Sequence, residues 1–172
     1  MIFKITEKVT RQLNISKLQR TINLEEKAFF KEWNINIVYI NHIKYFMFTE
    51  CKTLFTIIKY AKGINSIEKF ESFAGDVFAE IFNDLIEGLN LKTMKLNNCI
   101  YSKTENNNVR RAQIDHLYHA GLLVEQGKNA FDINRIPIAS IGYRFPVDLF
   151  IEEISKIVEK DGAIFISDSL LN

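Results

Sequence analysis

Apolar and polar positions alternate with period two from residue 34 to residue 39, where Ile35, Ile37 and Tyr39 interleave with Asn34, Asn36 and Val38. That period places alternate side chains on opposite faces of a half-buried strand. "KYFMFT" (44–49) and "TLFTIIKY" (53–60) continue the β-rich run, separated by the polar "ECK". Asn41-His42 reads as a tight turn, because Asn tolerates positive φ. Three such runs joined by short turns predict an antiparallel meander. "MIFKIT" opens the chain as a short strand with Ile2 and Phe3 inside, and residues 7–30 read as helical or mixed, with Val9, Leu13 and Leu18 at loose helical spacing.

Period two then gives way to 3-and-4 spacing. Ile67, Phe70, Phe73, Ala74, Val77, Phe78, Ile81, Phe82, Leu85, Ile86 and Leu89 form a wide apolar stripe, predicting a long helix over 65–89 that lies across a sheet. Asn65 is placed to cap it, with Glu68 three residues on, and Gly88 and Asn90 mark its end. Its other face carries six acids against Lys69. "NNCIYSK" (97–103) reads as a returning strand. A second helix over about 108–125 turns Val109, Ala112, Leu117, Ala120 and Leu123 or Val124 inward. A third over about 147–159 groups Val147, Phe150, Ile154, Ile157 and Val158. The tail "GAIFISD" is apolar enough for a short strand or a packed extension. The expected fold is α+β: an antiparallel sheet of four or five strands with the long helix and two further helices packed on it.

Length and composition sharpen this reading. At 172 residues with no linker or repeat, the chain is expected to be one domain over 1–172. Its 47% hydrophobic content and 14 Phe indicate a large core without need of metal or disulfide staples. Cys51 and Cys99 lack metal spacing and read as free thiols of a reducing cytoplasm. No apolar run reaches the ~20 residues of a membrane span, so no membrane role is expected.

Both prolines lie in "INRIPIASIGYRFPVDLF" (133–150). Pro146 suits the first turn of the third helix, where its missing N–H costs nothing. Pro137 holds Ile136 extended. Ile136, Ile138, Ile141 and Phe145 would anchor the segment on the core as a stiff structural connection; the sharper alternative is that its rigidity presents Arg135 and Arg144 to an anionic partner.

Four stretches resemble an uncharacterised bacterial domain family catalogued as of unknown function. They are "MIFKITEKVTRQLN", with a Thr-x-Lys step; "WNINIVYINHIKYFMFTECKTLFTIIKY", with Asn three residues after Trp; "NNVRRAQIDHL"; and "INRIPIASIGYRFP", with Asn-Arg-x-Pro. Asn108 stands where the family tends to have Arg, and Asp115 where it tends to have Asn. The resemblance implies an α+β fold and no particular activity.

Candidate chemistry is sparse. His116 and His119 stand three apart on the second helix, but a metal site needs three or four ligands, so no metal is expected. His116 is expected to flank the core and His119 to be solvated. Arg111, Asp115 and His119 share a helix face at i, i+4, i+8, the makings of an acid–base line. No glycine-rich loop follows a strand and no nucleophile motif is present, so no cofactor is expected. Net charge is +1, but it is unevenly spread. Residues 1–22 hold five cations against Glu7, residues 92–111 five against Glu105, and residues 128–144 three against Asp132. If these segments converge they form a positive surface. The reading is therefore a non-catalytic cytoplasmic binding module that engages a protein partner or nucleic acid. Arg110, Arg111, Arg135 and Arg144 are its contact candidates, with Trp33 and Asn36 if the sheet end is the platform. The alternative is an enzyme with an Arg/Asp/His site on the helix at about 108–125, where Arg111, Asp115 and His119 share a face. The sequence leaves catalysis, substrate and oligomeric state open.

Overall fold

The structure is a computed structural model that describes residues 1–16, 18, 30–86, 90–96, 98–104 and 106–161. The elements along it are β1 (Ile2–Ile5), α1 (Glu7–Gln12), β2 (Glu32–Ile40), β3 (Ile43–Glu50), β4 (Thr56–Tyr60), α2 (Ile67–Leu85), β5 (Ile100–Lys103), α3 (Asn107–Glu125) and α4 (Pro146–Asp161). Two 3-10 turns, Ala130–Arg135 and Ala139–Ile141, link α3 to α4. Half of the expected mixed segment over 7–30, the tail after 161 and the residues around Gly88 lie outside the described residues.

The five strands stand in the order β4-β3-β2-β1-β5. The meander is antiparallel as expected, with Ile35 opposite Phe48 and Phe48 opposite Ile57. Asn41 and His42 both have positive φ (49° and 63°), which matches the twist of a two-residue hairpin. The sheet as a whole is mixed rather than antiparallel: β1 runs parallel to β2 on one side and to β5 on the other. Residues 6–31 separate β1 from β2, enough chain for the crossover that parallel neighbours need.

One face of the sheet is the core expected from the helix stripe. Phe3, Ile5, Trp33, Ile35, Ile37, Phe46 and Phe48 meet Phe70, Ala74, Val77, Phe78, Ile81 and Phe82 of α2. Phe78 packs on Phe30, Trp33 and Phe48 with ring centroids 4.7–5.9 Å apart. Phe150 of α4 stacks on Phe55 at 4.1 Å in the same core. The cap of α2 is Ser66, whose side chain accepts from the Lys69 backbone N–H, rather than Asn65. Asn65 instead accepts from Lys69 Nζ. Gly75 lets the 90–96 segment approach, since a Cβ there would lie 2.2 Å from the Met94 carbonyl oxygen.

Tyr39, one residue from the hairpin end, is 58% exposed rather than inside. The "ECK" spacer is not a solvated turn either. Glu50 is buried, and its carboxylate accepts from the backbone N–H groups of Phe30, Lys52 and Thr53 and from the Thr53 hydroxyl. Burial pushes that carboxyl up despite these donors. Pro146 opens α4 as expected, and Ile136 is extended. Of the four anchors, Ile138 is buried and Ile136 and Ile141 half-buried, but Phe145 is exposed: it lies between the small Ile138–Arg144 bridge and the start of α4.

Candidate functional site

The second face of the sheet reads as a solvated face in the sequence, but α3 lies along it. One transverse row crosses all five strands: Ser102, Lys4, Asn34, Thr49 and Thr56 are successive partners. Every residue in that row is polar, and Asn34, Thr49, Thr56 and Ser102 are buried. Lys4 pairs with Glu32 at 2.7 Å, both side chains largely enclosed.

A buried polar row is stable only where its groups find partners, and α3 supplies several. Gln113 Nε2 donates to the Asn34 carbonyl and to the Thr49 hydroxyl, both at 3.2 Å. Thr49 and Thr56 hydroxyls stand 3.0 Å apart, and His116 Nδ1 lies 2.7 Å from Thr56 Oγ1. Thr56 Oγ1 donates to the Leu54 carbonyl. With that single hydrogen on Leu54, Thr56 accepts from Thr49 and from His116, an arrangement that corresponds to the Nδ1–H tautomer of the imidazole. Burial pulls His116 down to about 4, and the neighbouring His119 adds to this, so it is neutral at pH 7. His116 Nε2, Asn34 Nδ2 and Ser102 Oγ are buried without a hydrogen-bond partner. Val109, Ala112 and Ala120 complete the inner stripe of α3, packing on Cys51, Leu54, Ile138, Ile40 and Ile133. The stripe therefore includes Gln113 and His116, and Leu117 sits at its edge.

Beside this seam runs a groove of about 240 Å³ between α3 and the carboxyl end of β1. Thr6, Asn36 and Gln113 line it with Arg110, and Val38, Ile114 and Leu117 form its apolar wall. The Thr6 hydroxyl donates to Asn36 Oδ1 at 3.1 Å, and that oxygen also accepts from the Ile37 backbone. The groove thus lies at the end of the strand flanked by parallel neighbours on both sides, a place where sheets of this kind commonly take ligands.

The sequence-derived candidates separate into distinct places. Arg110 and Asn36 meet at the groove. Trp33 does not reach any surface: it is wholly buried in the α2 core, its indole N–H donating to the Phe30 carbonyl. Arg111 and Asp115 are exposed on α3, and His119 is half-buried with its ring edge-on to Tyr118. No hydrogen bond or ion pair joins Arg111, Asp115 and His119 among the described residues. Arg135 is exposed at the end of the first 3-10 turn, and Arg144 pairs with Glu152 of α4. Lys103, opposite Ile5, and Arg110, which shares the groove with Thr6, bring part of the 92–111 basic segment beside the start of α1, which carries Lys8 of the first segment. Lys17 and Arg20 lie outside the described residues.

Thr6, Val38, Gln113, Thr49 and Thr56 were missed by sequence reasoning. The available signal was in α3 itself, where Val109, Ala112, Gln113, His116 and Ala120 form one stripe that contains two polar members. Neither Cys51 nor Cys99 is in a disulfide, and burial pushes the Cys99 thiol up to about 12. Among the described residues no three His, Cys, Asp or Glu side chains gather as a metal site, and no helix is long and apolar enough to cross a membrane.

A family model described as "Domain of unknown function (DUF6933)" matches residues 2–149. No curated protein and no solved structure matches the chain.

Proposed function

This chain belongs to the domain family of unknown function DUF6933, and we propose that it acts as a non-catalytic cytoplasmic binding module whose partner is a protein met by the outer side of α3. One observation carries this reading. Ile114, Tyr118 and Leu122 follow at i, i+4 and i+8 and are 68%, 66% and 38% exposed, although the inner stripe of the same helix already fills its place on the sheet. Folding makes no use of this second stripe. Exposed Arg110 and Arg111 stand at its start, and Tyr and Arg are the residue types that dominate protein interfaces. Binding rather than turnover is supported by the groove lining, whose polar members are a Thr, two amides and an Arg. The titratable His116 is shut away from it.

A photo-crosslinking residue in place of Tyr118 tests the reading in cells. The expected result is one discrete protein adduct that is absent when the same residue replaces Asp76 on the outer face of α2. Equal adducts from both positions would contradict it.

A second reading, nucleic-acid binding, is favoured by Lys8, Lys103, Arg110 and Arg111, exposed cations that have no ion pair among the described residues. It requires an affinity for random DNA or RNA that falls steeply with salt, and a salt slope reduced by about one ion in Arg111→Ala. No binding at low salt would remove it.

A further inference from the structure

We propose that the groove between α3 and the carboxyl end of β1 binds a small monocarboxylate that carries a branched apolar side chain and a neutral hydrogen-bond donor beside its carboxylate. This goes beyond the protein-partner reading: it uses the groove beside the outer stripe, which shares Arg110 and Ile114 with that stripe but includes neither Tyr118 nor Leu122.

The free polar atoms of the groove define the ligand. Asn36 Oδ1 is already occupied by the Thr6 hydroxyl and the Ile37 N–H, which leaves its Nδ2 hydrogens to spare. Gln113 spends its Nε2 hydrogens on Asn34 and Thr49, which leaves Oε1 as an acceptor in a side chain only 4% exposed. The Thr6 hydroxyl has given its hydrogen away and keeps a lone pair. Arg110 is exposed at the rim and has no carboxylate partner among the described residues. A carboxylate answers Arg110 and the Asn36 amide together, since guanidinium binds it through paired N–H groups. Gln113 Oε1 then asks for a donor on the adjacent carbon. The lining has no acid to neutralise an ammonium, so that donor is a hydroxyl or an amide N–H. With one cation in the lining, a monoanion fits better than a phosphate dianion. Val38, Ile114 and Leu117 take the apolar branch. The volume of about 240 Å³ falls below the ~300–1,000 Å³ of drug-sized ligand sites, which restricts the ligand to a small molecule or one terminal residue.

Methyl and amide NMR titration tests this with 2-hydroxy-4-methylpentanoate, N-acetylleucine, the neutral N-acetylleucinamide and inorganic phosphate. Both acids are expected to shift Val38, Ile114 and Leu117 signals and approach saturation by about 10 mM, as befits a ligand of so few atoms. The amide is expected to bind at least about tenfold more weakly. The tighter of the two acids identifies the source, a free hydroxy acid or the C-terminal residue of a chain. Arg110→Gln and Asn36→Asp should each weaken acid binding about tenfold or more while the remaining spectrum stays native. Asn36→Asp keeps the acceptor for Thr6 and Ile37 and replaces the free donor by a like charge. Arg111→Gln, one residue along, should bind as the wild type does. The proposal is overturned if the amide binds as well as the acids, if phosphate displaces them, if Arg111→Gln loses as much as Arg110→Gln, or if no groove signal moves at that concentration.

Discussion

Asn134 hydrogen-bonds both backbone groups of Thr56: its Oδ1 accepts from the Thr56 N–H and its Nδ2 donates to the Thr56 carbonyl, each at 2.7 Å. A side-chain amide thus completes the outer edge of β4, where backbone groups would otherwise lie buried and unpaired. The Asn-Arg-x-Pro stretch is a structural clamp at this residue, whatever its arginines contact. Asn134→Ala is expected to cost about 2–4 kcal/mol, because two buried backbone groups lose their partners. Arg135→Ala next to it should change stability by less than about 0.5 kcal/mol. Urea unfolding of the two variants checks the contrast.

Phe78 sits in the ring cluster with Phe30, Trp33 and Phe48, whereas Glu80 faces outward and pairs with Lys59. Phe78→Ala should cost about 3–5 kcal/mol, as truncation of a buried aromatic does. Glu80→Ala should cost less than about 0.5 kcal/mol, since an exposed pair contributes little. Equal losses in chemical denaturation would mean that α2 presents a different face to the sheet.

Two helical glycines should respond with opposite signs. Gly75→Ala drives a Cβ against the Met94 backbone and is expected to destabilise by about 1–3 kcal/mol. Gly121 in α3 faces open space, so Gly121→Ala should stabilise by about 0.4–1 kcal/mol through the unfolded chain. Thermal melts of the pair read both signs.

His116 gives the fold a pH dependence. Its folded pKa lies below its ordinary 6.5, at about 4, so between these values the unfolded chain takes up a proton that the folded one refuses. Its contribution is therefore complete above pH 6.5 and is lost as pH falls toward 4, at up to about 1.4 kcal/mol per pH unit. Glu50 acts in the opposite sense: its carboxyl is raised, so its contribution is full below 4.5 and declines as pH rises through the folded value. Comparison with His116→Gln cancels Glu50. The variant should show a shallower loss of stability from pH 6.5 to 4, and an unchanged slope would contradict the neutral, buried imidazole.

Local signals in the sequence were dependable where one element decides the outcome. The Asn41-His42 turn, the stripe of α2 and Pro146 at the head of α4 each follow from a few adjacent residues. The parallel placement of β1 was not legible, because it depends on how the chain crosses over after Thr6. Asn34 and Thr49 showed the alternation of a solvated face, and nothing local reveals that Gln113, 79 residues beyond Asn34, closes over them. Trp33 looked like a binding aromatic for the same reason: a single alternating strand does not say which of its faces a helix covers. Of the groove, Arg110 and Asn36 stood out as residue types, whereas Thr6, Val38 and Gln113 acquire meaning only from their neighbours across the sheet.

The outer stripe of α3 should serve binding and not folding, and Leu122→Lys separates the two. Lysine is a good helix former, it suits the last turn of α3, and it removes an apolar contact one turn from Tyr118 without touching the groove lining. The decisive measurement takes this variant with the photo-crosslinking residue at position 118 and records its unfolding free energy together with its adduct in cells. The expected result is a stability within about 0.5 kcal/mol of the Leu122 protein and loss of the adduct. A retained adduct, or a stability loss of about 2 kcal/mol or more, as a buried leucine would give, would contradict an exposed binding face on α3.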